Sequence, residues 1–436
     1  MIQTLDARGL PAAEIAAKLA RDRESFDRAM AAAREIVERV AAQGDRGLLE
    51  ATERLDGVRP PRLLLGRGDL RAALERIPVK LRDALDFAAK QIETFHRAQV
   101  PLGYEVTIGP RGSRAGQQPR ALDRVGVYVP GGPRGYPSSV LMGVIPARLA
   151  GVREILVATP PSRDTGLPPD SVLAAATLAG ADEILVAGGA QAIAAMALGT
   201  ETVKVVDKIV GPGNVYVTAA KLLVQDRVAT DGIAGPSEVV VIADETLSTE
   251  ALAAELLAQA EHDPDAVAIA ILADSRDFQK ILENVNERMR VIPRRDAVQE
   301  ALRRNGFLMW VDSVSTAIEV ANILAPEHLV LAVRDAASYL YAVRNAGCVF
   351  LGSSTSAAMG DYTVGTNHVL PTAGTARWRG GLGVRDFVKF VSYVEVTRED
   401  VSTLAEQAMV LAREEGFEAH AAALASRIAD AKAVIP

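Results

Sequence analysis

The sequence lacks several features, and each absence excludes a class of protein. Its 436 residues include one cysteine, Cys348, so no disulfide can form within the chain. No apolar run approaches the ~18 residues that a membrane-spanning helix needs, and no basic block indicates a nucleic-acid-binding surface. Residues 1–11 show no basic stretch followed by an apolar one, the order of a secretory signal. We therefore predict a cytoplasmic protein without membrane or nucleic-acid partners.

The composition and length are those of a large soluble protein. Apolar residues make up 49% and charged residues 24%, with a net charge of −7. This length exceeds what one hydrophobic core supports, so two or more domains are expected. There are only five histidines, and each can be considered singly: His96, His262, His328, His368 and His420.

Strand and helix patterns alternate over most of the chain. Residues 151–158 (GVREILVA) are echoed by residues 180–187 (GADEILVA), with a helical pattern between them. A strand–helix–strand period of about 30 residues indicates a βαβ unit with parallel strands. A similar alternation over residues 239–351 predicts a second parallel-sheet domain. Residues 1–57 are predicted to be helical.

Three glycine-rich turns follow predicted strands of the first such domain, at residues 130–132, 188–189 and 211–213. The carboxyl ends of parallel strands lie at one sheet edge, where nucleotides bind in folds of this class. Asn214 follows the third turn and suits a helix N-cap. The glycine spacing is not the dinucleotide fingerprint, so plain turns are the alternative reading. Together the turns favour a nucleotide-like ligand.

A carboxylate and an imidazole are adjacent at Glu327 and His328, after Pro326 and before an apolar strand. Such a pair supplies an acid and a base with different intrinsic pKa values at one place. We therefore regard it as a candidate acid/base site.

Further polar residues fall in regular patterns. Gln259 shares a helix face with Leu252 and Leu256, and His262 is three residues on, so both are expected to point inward. That pair suits either a satisfied core network or a ligand or metal site. Asp361 and His368 lie in a glycine-punctuated loop. None of these residues has a local zinc-binding spacing. The residues alone predict a multidomain α/β protein with a nucleotide edge and an acid/base site.

Several segments together resemble the histidinol dehydrogenase family. The resemblance extends from about residue 30 to the C-terminus, and its motifs are specific in combination. They are Val125–Gly132, GPGN (211–214), AGPSE (234–238), QAEHDP (259–264), APEHL (325–329), GDY (360–362) and NHVLPT (367–372). The sequence differs from the usual family pattern at Thr355-Ser356-Ala357, where Thr-Pro-Glu is common, and at Trp378–Gly381.

The resemblance implies a homodimeric, zinc-dependent enzyme of histidine biosynthesis that oxidises L-histidinol through the aldehyde to L-histidine and reduces two NAD. It also implies an α/β fold with two parallel-sheet, incomplete Rossmann-like domains and helical N- and C-terminal extensions. The expected limits are an N-terminal helical segment (1–25), a discontinuous first α/β domain (26–127 with 238–383), a second, nucleotide-binding α/β domain (128–237) and a C-terminal helical dimerisation segment (384–436).

The resemblance also implies roles for individual residues. Glu327 and His328 would be the catalytic acid/base pair, with His328 taking the hydroxyl proton near neutral pH and Glu327 activating water. One zinc per subunit would be held by Gln259, His262, Asp361 and His420. The substrate would contact these zinc ligands, Glu327, and Ser237, His368 and Glu415. His420 and Glu415 would reach the partner subunit's site, and NAD would contact Tyr128, Gln191 and Asn214.

Three other readings are retained. One is a paralog that oxidises another small alcohol, such as a sulfonated diol. The second is a nucleotide-binding regulator that has lost catalysis, and the intact set of proposed site residues argues against it. The third is a metal hydrolase without NAD, and the three glycine-rich turns argue against that one.

Overall fold

The computed structural model describes residues 2–19, 26–132, 134–232, 235–274 and 277–433 and divides into two compact units. Unit 1 comprises Met1–Gln99 and Leu122–Phe387; unit 2 comprises Val100–Ala121 and Val388–Pro436. Three short 3₁₀ helices occur at Ala336–Ala342, Thr375–Arg377 and Val384–Phe387. No helix in the described ranges is long and apolar enough to cross a membrane.

The strands, numbered along the chain, are β1 (Gln3–Asp6), β2 (Leu64–Gly66), β3 (Tyr104–Thr107), β4 (Arg114–Ala121), β5 (Arg124–Tyr128), β6 (Glu154–Thr159), β7 (Glu183–Val186), β8 (Lys208–Val210), β9 (Ala229–Thr230), β10 (Glu238–Ala243), β11 (Val267–Leu272), β12 (Gly306–Trp310), β13 (His328–Ala332), β14 (Cys348–Leu351) and β15 (Val388–Glu395).

The α-helices are α1 (Ala12–Lys18), α2 (Phe26–Asp56), α3 (Arg67–Arg76), α4 (Val79–Arg97), α5 (Pro137–Ala150), α6 (Asp170–Ala179), α7 (Gly189–Leu198), α8 (Val215–Leu223), α9 (Thr249–Ala260), α10 (Phe278–Met289), α11 (Arg295–Asn305), α12 (Val314–Leu324), α13 (Ala357–Tyr362), α14 (Val401–Glu414) and α15 (Glu418–Lys432). Helix α2 is kinked at Gly44, where φ is 53° and ψ is −132°.

The first sheet of unit 1, sheet A, has the strand order β1-β12-β11-β10-β13-β14, and all its pairs are parallel. Alternate residues of β10 enter two different cores. Val239 and Val241 pack with residues of α9 to α11, whereas Val240 and Ile242 pack with residues of α1 and α12. Since both faces are covered, the central strands β10, β11 and β13 are fully buried and mainly apolar.

The second sheet, sheet B, has the order β2-β7-β6-β5-β8-β9 and is parallel except for β2, which pairs antiparallel with β7. Helices cover both faces again: Val125 and Val127 of β5 face one core, and Tyr128 faces the other. The three glycine-rich turns follow β5, β7 and β8, so they share the carboxyl edge of one sheet, as predicted.

Unit 2 has an antiparallel sheet of order β15-β4-β3 and the helices α14 and α15. Buried Asp400 precedes α14, and its carboxylate accepts hydrogen bonds from the Ser113 hydroxyl at 2.7 Å and the Ser113 backbone nitrogen at 3.1 Å. This contact joins the chain segment before β4 to the one after β15.

The predicted α/β class with parallel sheets is confirmed, but several predicted details are wrong. The N-terminal segment is not purely helical, because Gln3–Asp6 pairs with β12; residues 1 and 20–25 of that segment lie outside the described ranges. The C-terminal segment contains β15. The predicted first domain included β2 and most of β5, yet both belong to sheet B. Short edge strands such as β1 bury little, so apolar periodicity identifies them poorly.

Candidate active site

The adjacent residues Glu327 and His328 lie at the amino-terminal edge of sheet A. Helix α12 ends at Leu324, and Ala325 follows in the left-handed conformation with φ at 51°. Pro326 then leads into β13, whose first residue is His328. The side chains of Glu327 and His328 are 9% and 6% exposed. Two titratable groups are thus held inside the protein at the amino end of a strand.

A hydrogen-bonded chain connects Glu327 with Gln259. Ser237, just before β10, donates its hydroxyl proton to Oε2 of Glu327 at 2.6 Å, and the Glu238 backbone nitrogen donates to the same oxygen at 2.8 Å. Gln259 Nε2 donates to the Ser237 oxygen at 2.8 Å. The prediction that Gln259 is buried on the inward face of its helix is confirmed.

His328 is held by both the backbone and charges. Its Nδ1 lies 3.1 Å from the Glu238 carbonyl oxygen and 3.4 Å from Glu327 Oε2, and its Nε2 lies 4.0 Å from Asp361 Oδ1. Burial by itself would lower the pKa of His328, but the charge and hydrogen bond of Glu327, with Asp361, raise it to about 9. Burial also opposes ionisation of Glu327. The nearby His328, together with the hydrogen bonds from Ser237 and the Glu238 nitrogen, nevertheless lowers the pKa of Glu327. The pair is therefore a carboxylate and an imidazolium at neutral pH.

Asp361 and His368 lie beside this pair. Asp361 is on the short helix α13, and its Oδ1 is 4.0 Å from both His328 Nε2 and His368 Nδ1. His368 Nδ1 also lies 3.0 Å from the Asp361 carbonyl oxygen, and its Nε2 lies 3.2 Å from the Ser139 hydroxyl. Burial lowers the pKa of His368. Five predicted site residues therefore form one connected group with Gln259: Ser237, Glu327, His328, Asp361 and His368.

Two residues of this neighbourhood were not predicted from the sequence. Ser139 is in the first turn of α5 and is buried. Glu255 is one helical turn before Gln259 on α9, and its carboxylate accepts a hydrogen bond from the backbone nitrogen of Ala357 at 3.3 Å, at the start of α13. Burial raises the pKa of Glu255. The four-residue spacing of Glu255 and Gln259 was the sequence signal for this one.

Other predicted ligands are placed differently. Helix α9 ends at Ala260, so His262 lies on the following turn with an exposed side chain, and its predicted inward orientation is wrong. His420 and Glu415 belong to unit 2, where His420 is exposed and stacks on Phe417 with ring centroids 5.0 Å apart. Across the described residues, no three His, Cys, Asp or Glu side chains are grouped to hold a metal ion.

The predicted nucleotide-contacting residues Tyr128 and Gln191 meet at the carboxyl edge of sheet B. Buried Tyr128 accepts a hydrogen bond from the Gly189 nitrogen at 3.0 Å, and burial raises its pKa to about 12. Fully buried Gln191 donates from Nε2 to Asp56 Oδ2 at 3.3 Å. Its Oε1 has no hydrogen-bond partner among the described residues. Burying such an oxygen unpaired is costly, so a further partner such as an ordered water or a ligand is expected there.

The third turn is fixed by a buried ion pair. Lys221 Nζ lies 2.6 Å from Asp231 Oδ1 and donates to the Gly211 carbonyl oxygen at 2.6 Å, while Gly211 donates to Asp231 Oδ2 at 2.6 Å. Gly211 has φ at 114°, and a Cβ there would lie 2.0 Å from the Tyr128 carbonyl oxygen. Asn214 accepts hydrogen bonds from the nitrogens of Tyr216 and Val217, which confirms it as the N-cap of α8.

Comparisons with known proteins identify the family of this chain. The family model described as histidinol dehydrogenase matches residues 19–428. The chain is 45% identical over 411 residues to a histidinol dehydrogenase of Methanothermobacter thermautotrophicus, covering 94% of this chain and 96% of that one. It is 46% identical over 398 residues to one of Methanopyrus kandleri, covering 90% and 92%.

A solved structure gives the same result. The crystal structure of histidinol dehydrogenase from Elizabethkingia anophelis superposes with a TM-score of 0.90 at 34% sequence identity, covering 98% of each chain. Sequence and fold therefore agree, and this chain belongs to the histidinol dehydrogenase family.

Proposed function

We propose that this protein oxidises L-histidinol to the aldehyde and then to L-histidine, reducing two NAD in the last step of histidine biosynthesis. The observation that carries the proposal is the connected group of Gln259, Ser237, Glu327 and His328 with Asp361 and His368 beside it. The relatives reported above are named histidinol dehydrogenase, and none of the described site residues favours another alcohol.

The geometry assigns separate tasks to the two catalytic groups. His328 Nδ1 is directed to the Glu238 carbonyl, so Nε2 is the nitrogen that faces Asp361 and a substrate hydroxyl. With a pKa of about 9, the imidazole must first lose its proton before it can accept another. Neutralisation of Asp361 by a cation would remove one cause of that raised pKa. Proton uptake by His328 near neutral pH thus depends on whether a cation compensates the charge of Asp361.

Glu327 suits the second oxidation. Its low pKa keeps it ionised, and a carboxylate can act as a base towards the water that attacks the aldehyde. The hydrogen bonds from Ser237 and from the Glu238 nitrogen both go to Oε2, so this water would meet the other oxygen of the carboxylate. Ser237 and the Glu238 nitrogen therefore orient the base without consuming it.

The donor set has the chemistry that zinc requires. Gln259 and Asp361 supply oxygen atoms and His262 and His420 supply imidazole nitrogens, which are common zinc ligands. Gln259 is buried and Asp361 half-buried, whereas His262 is exposed on its turn. These four residues would hold one Zn²⁺ per subunit. When bound, the ion would anchor the amine and imidazole of the substrate and so position the reacting carbon.

Features of sheet B support NAD binding. Helices α5, α7 and α8 begin at the shared glycine-rich edge, and helix N-termini favour the negative charge of phosphates. The unpartnered Oε1 of Gln191 is available to a donor group of the nucleotide. Tyr128 and Asn214 belong to the first and third turns of the same edge.

A homodimer is supported by the surface of unit 2. Large apolar side chains are exposed on both its sheet and its helices, more than an isolated small unit normally leaves in water. They include Leu102, Tyr104, Val106, Phe390, Val394, Val410, Leu411 and Phe417. We propose that a second copy covers this surface and that His420 and Glu415 enter the partner's site.

The substrate is tested by NAD reduction with a panel of amino alcohols and diols. Histidinol should give two NADH for each histidine formed. Turnover of another diol with none of histidinol would refute the substrate but keep the class, and no turnover of any alcohol would favour the non-catalytic regulator.

The metal is tested by chelation. Removing zinc should abolish activity, and adding it back should restore activity. Because the metal links several side chains, its removal should also lower the thermal unfolding temperature. An enzyme whose activity and unfolding temperature are both indifferent to chelation would rule out the zinc site.

The shared site is tested by mixing two inactive variants. A Glu327→Gln subunit still supplies His420, and a His420→Ala subunit still supplies Glu327. In a dimer with shared sites, one site of the mixed dimer then contains both native residues. Subunit exchange should therefore restore activity; if His420 acted within its own chain, mixing would restore none.

A further inference from the structure

Both ring nitrogens of His368 are occupied in the structure. Nδ1 lies 3.0 Å from the Asp361 carbonyl oxygen, and Nε2 lies 3.2 Å from the hydroxyl of Ser139. A carbonyl oxygen only accepts hydrogen bonds, so Nδ1 must carry a proton. In the neutral ring Nε2 is then an acceptor, and the Ser139 hydroxyl donates to it. The Asp361 carbonyl thus selects the Nδ1–H tautomer, and the Ser139 hydroxyl supplies the partner of Nε2.

The same helix also holds the residue before His368. Asn367 is buried, and its Nδ2 donates to the carbonyl oxygen of Met142 at 2.8 Å and lies 3.3 Å from His96 Nε2. Its Oδ1 accepts from the nitrogen of Val369 at 2.9 Å. Since Ser139 and Met142 are three residues apart, they lie on one face of α5. Asn367 therefore fixes the backbone of this loop, and Ser139 fixes only the ring.

Helix α5 itself comes from the nucleotide edge. It begins five residues after Gly132, following the first glycine-rich turn and the end of β5. The Ser139 hydroxyl thus belongs to the proposed NAD-binding edge of sheet B and contacts a proposed substrate residue beside sheet A.

We propose that Ser139 is a positioning residue for the reaction, which holds the imidazole of His368 in one orientation for the substrate. The proposal rests on the proposed function for the role of His368 in substrate binding. Ser139 would act through His368 and so connect the first turn of α5 to the substrate. Without this hydroxyl the ring keeps its backbone position but loses the partner of Nε2.

The test compares Ser139→Ala with Ser139→Thr in the full-length protein. With ¹⁵N-labelled histidine only five imidazoles give signals, and His368→Gln identifies the one of interest. In the native protein and in Ser139→Thr, the Nε2 signal of His368 should be that of a hydrogen-bonded acceptor. In Ser139→Ala it should move to the position of a free acceptor. Loss of one hydrogen bond should raise KM for histidinol about tenfold, with kcat changed much less.

The control is Ser338→Ala, an exposed serine whose hydroxyl donates to the Asp335 carbonyl oxygen within its own turn. It should change neither the His368 signal nor KM. An unchanged Nε2 signal in Ser139→Ala would overturn the contact, and a changed signal with an unchanged KM would overturn its link to the substrate. Because the signal is read without substrate, failure of the histidinol assignment would be recognised separately.

Discussion

The two sheets of unit 1 place their functional residues at opposite edges. On sheet B the glycine-rich turns are at the carboxyl ends of β5, β7 and β8, the usual place for a ligand in parallel sheets. On sheet A the proposed site residues are at the amino ends: Ser237 precedes β10, and His328 begins β13. The same kind of sheet therefore serves two sites in opposite senses.

Helix dipoles give a physical reason for this difference. Helices α5, α7 and α8 start at the edge of sheet B, and their positive ends suit phosphates. Helices α9 and α12 end beside the residues of sheet A, near Gln259 and Glu327, and their negative ends suit an imidazolium, a metal ion or a substrate amine. Each edge thus has the field that its proposed ligand requires.

The two edges also use charge differently. At the amino edge of sheet A, Glu327 and His328 shift each other's pKa and Asp361 contributes to the raised pKa of His328, so we infer that these charges are available for chemistry. At the edge of sheet B, the buried charges of Lys221 and Asp231 neutralise each other and fix the Gly211 peptide. We infer that the charges of Glu327 and His328 take part in chemistry, whereas those of Lys221 and Asp231 have a structural role. Three substitutions at the two edges test this contrast.

The largest effect is expected from Lys221→Met. It leaves Asp231 as an unpaired charge with only 10% of its side chain exposed, which should lower the free energy of unfolding by about 3–5 kcal/mol. Urea denaturation measures this loss. The matched control Lys90→Met removes an exposed ion pair with Asp86 and should cost no more than about 1 kcal/mol. Similar losses in both variants would contradict a structural role for Lys221.

Glu327→Gln should affect chemistry instead. The amide keeps the size of the carboxylate and an oxygen for Ser237, but it cannot take a proton from water. Oxidation of the aldehyde should slow by about 10²–10³-fold, and oxidation of the alcohol less. Single-turnover measurements with each substrate separate the steps. Glu245→Gln, at an exposed ion pair with Arg334, is the control and should be silent. Equal losses in both steps would contradict the assigned roles.

The smallest effect is expected from Asp56→Asn, beside Gln191. Burial is the main cause that raises the pKa of Asp56 from 3.8 to about 6, against the opposing effects of Arg163 and the Gly188 nitrogen. The folded state therefore binds the proton more tightly than the unfolded state. The resulting stability is present below pH ~3.8 and is lost as the pH rises through ~6.

Asparagine avoids the cost of the buried charge. Since Asp56 is partly exposed, Asp56→Asn should be more stable than the native protein by only about 1 kcal/mol at pH 8, and the gain should disappear by about pH 4. Urea unfolding at several pH values measures it. The exposed Asp164→Asn should show no such trend, and a gain independent of pH would exclude burial of the Asp56 charge as the cause.

Local patterns predicted much of the fold. The apolar runs of β10, β11 and β13 have strong strand signals because both faces of sheet A are buried. The cap at Asn214 could be predicted because capping depends on neighbouring residues only. The strand β1 and the sheet assignment of β2 were missed, since both depend on partners far away in the chain.

The candidate site was predicted in its members but not in its arrangement. Helical spacing correctly predicted that Gln259 points inward. The same prediction was wrong for His262 because α9 ends two residues before it. The expected neutral-pH base at His328 did not anticipate the pKa of about 9 that Glu327 and Asp361 produce. No sequence pattern separates Ser139 from other serines, because its partner His368 is 229 residues away.

The sequence by itself determined the classes of residue and their local conformations: apolar strands, glycine turns, caps, and an acid beside a base. These follow from interactions over a few residues. Only the tertiary structure decided that the proposed catalytic pair lies at the amino edge of one sheet and the glycine turns at the carboxyl edge of another. It also decided which charges neutralise each other and which remain coupled, because burial and distance between remote segments set electrostatic energies.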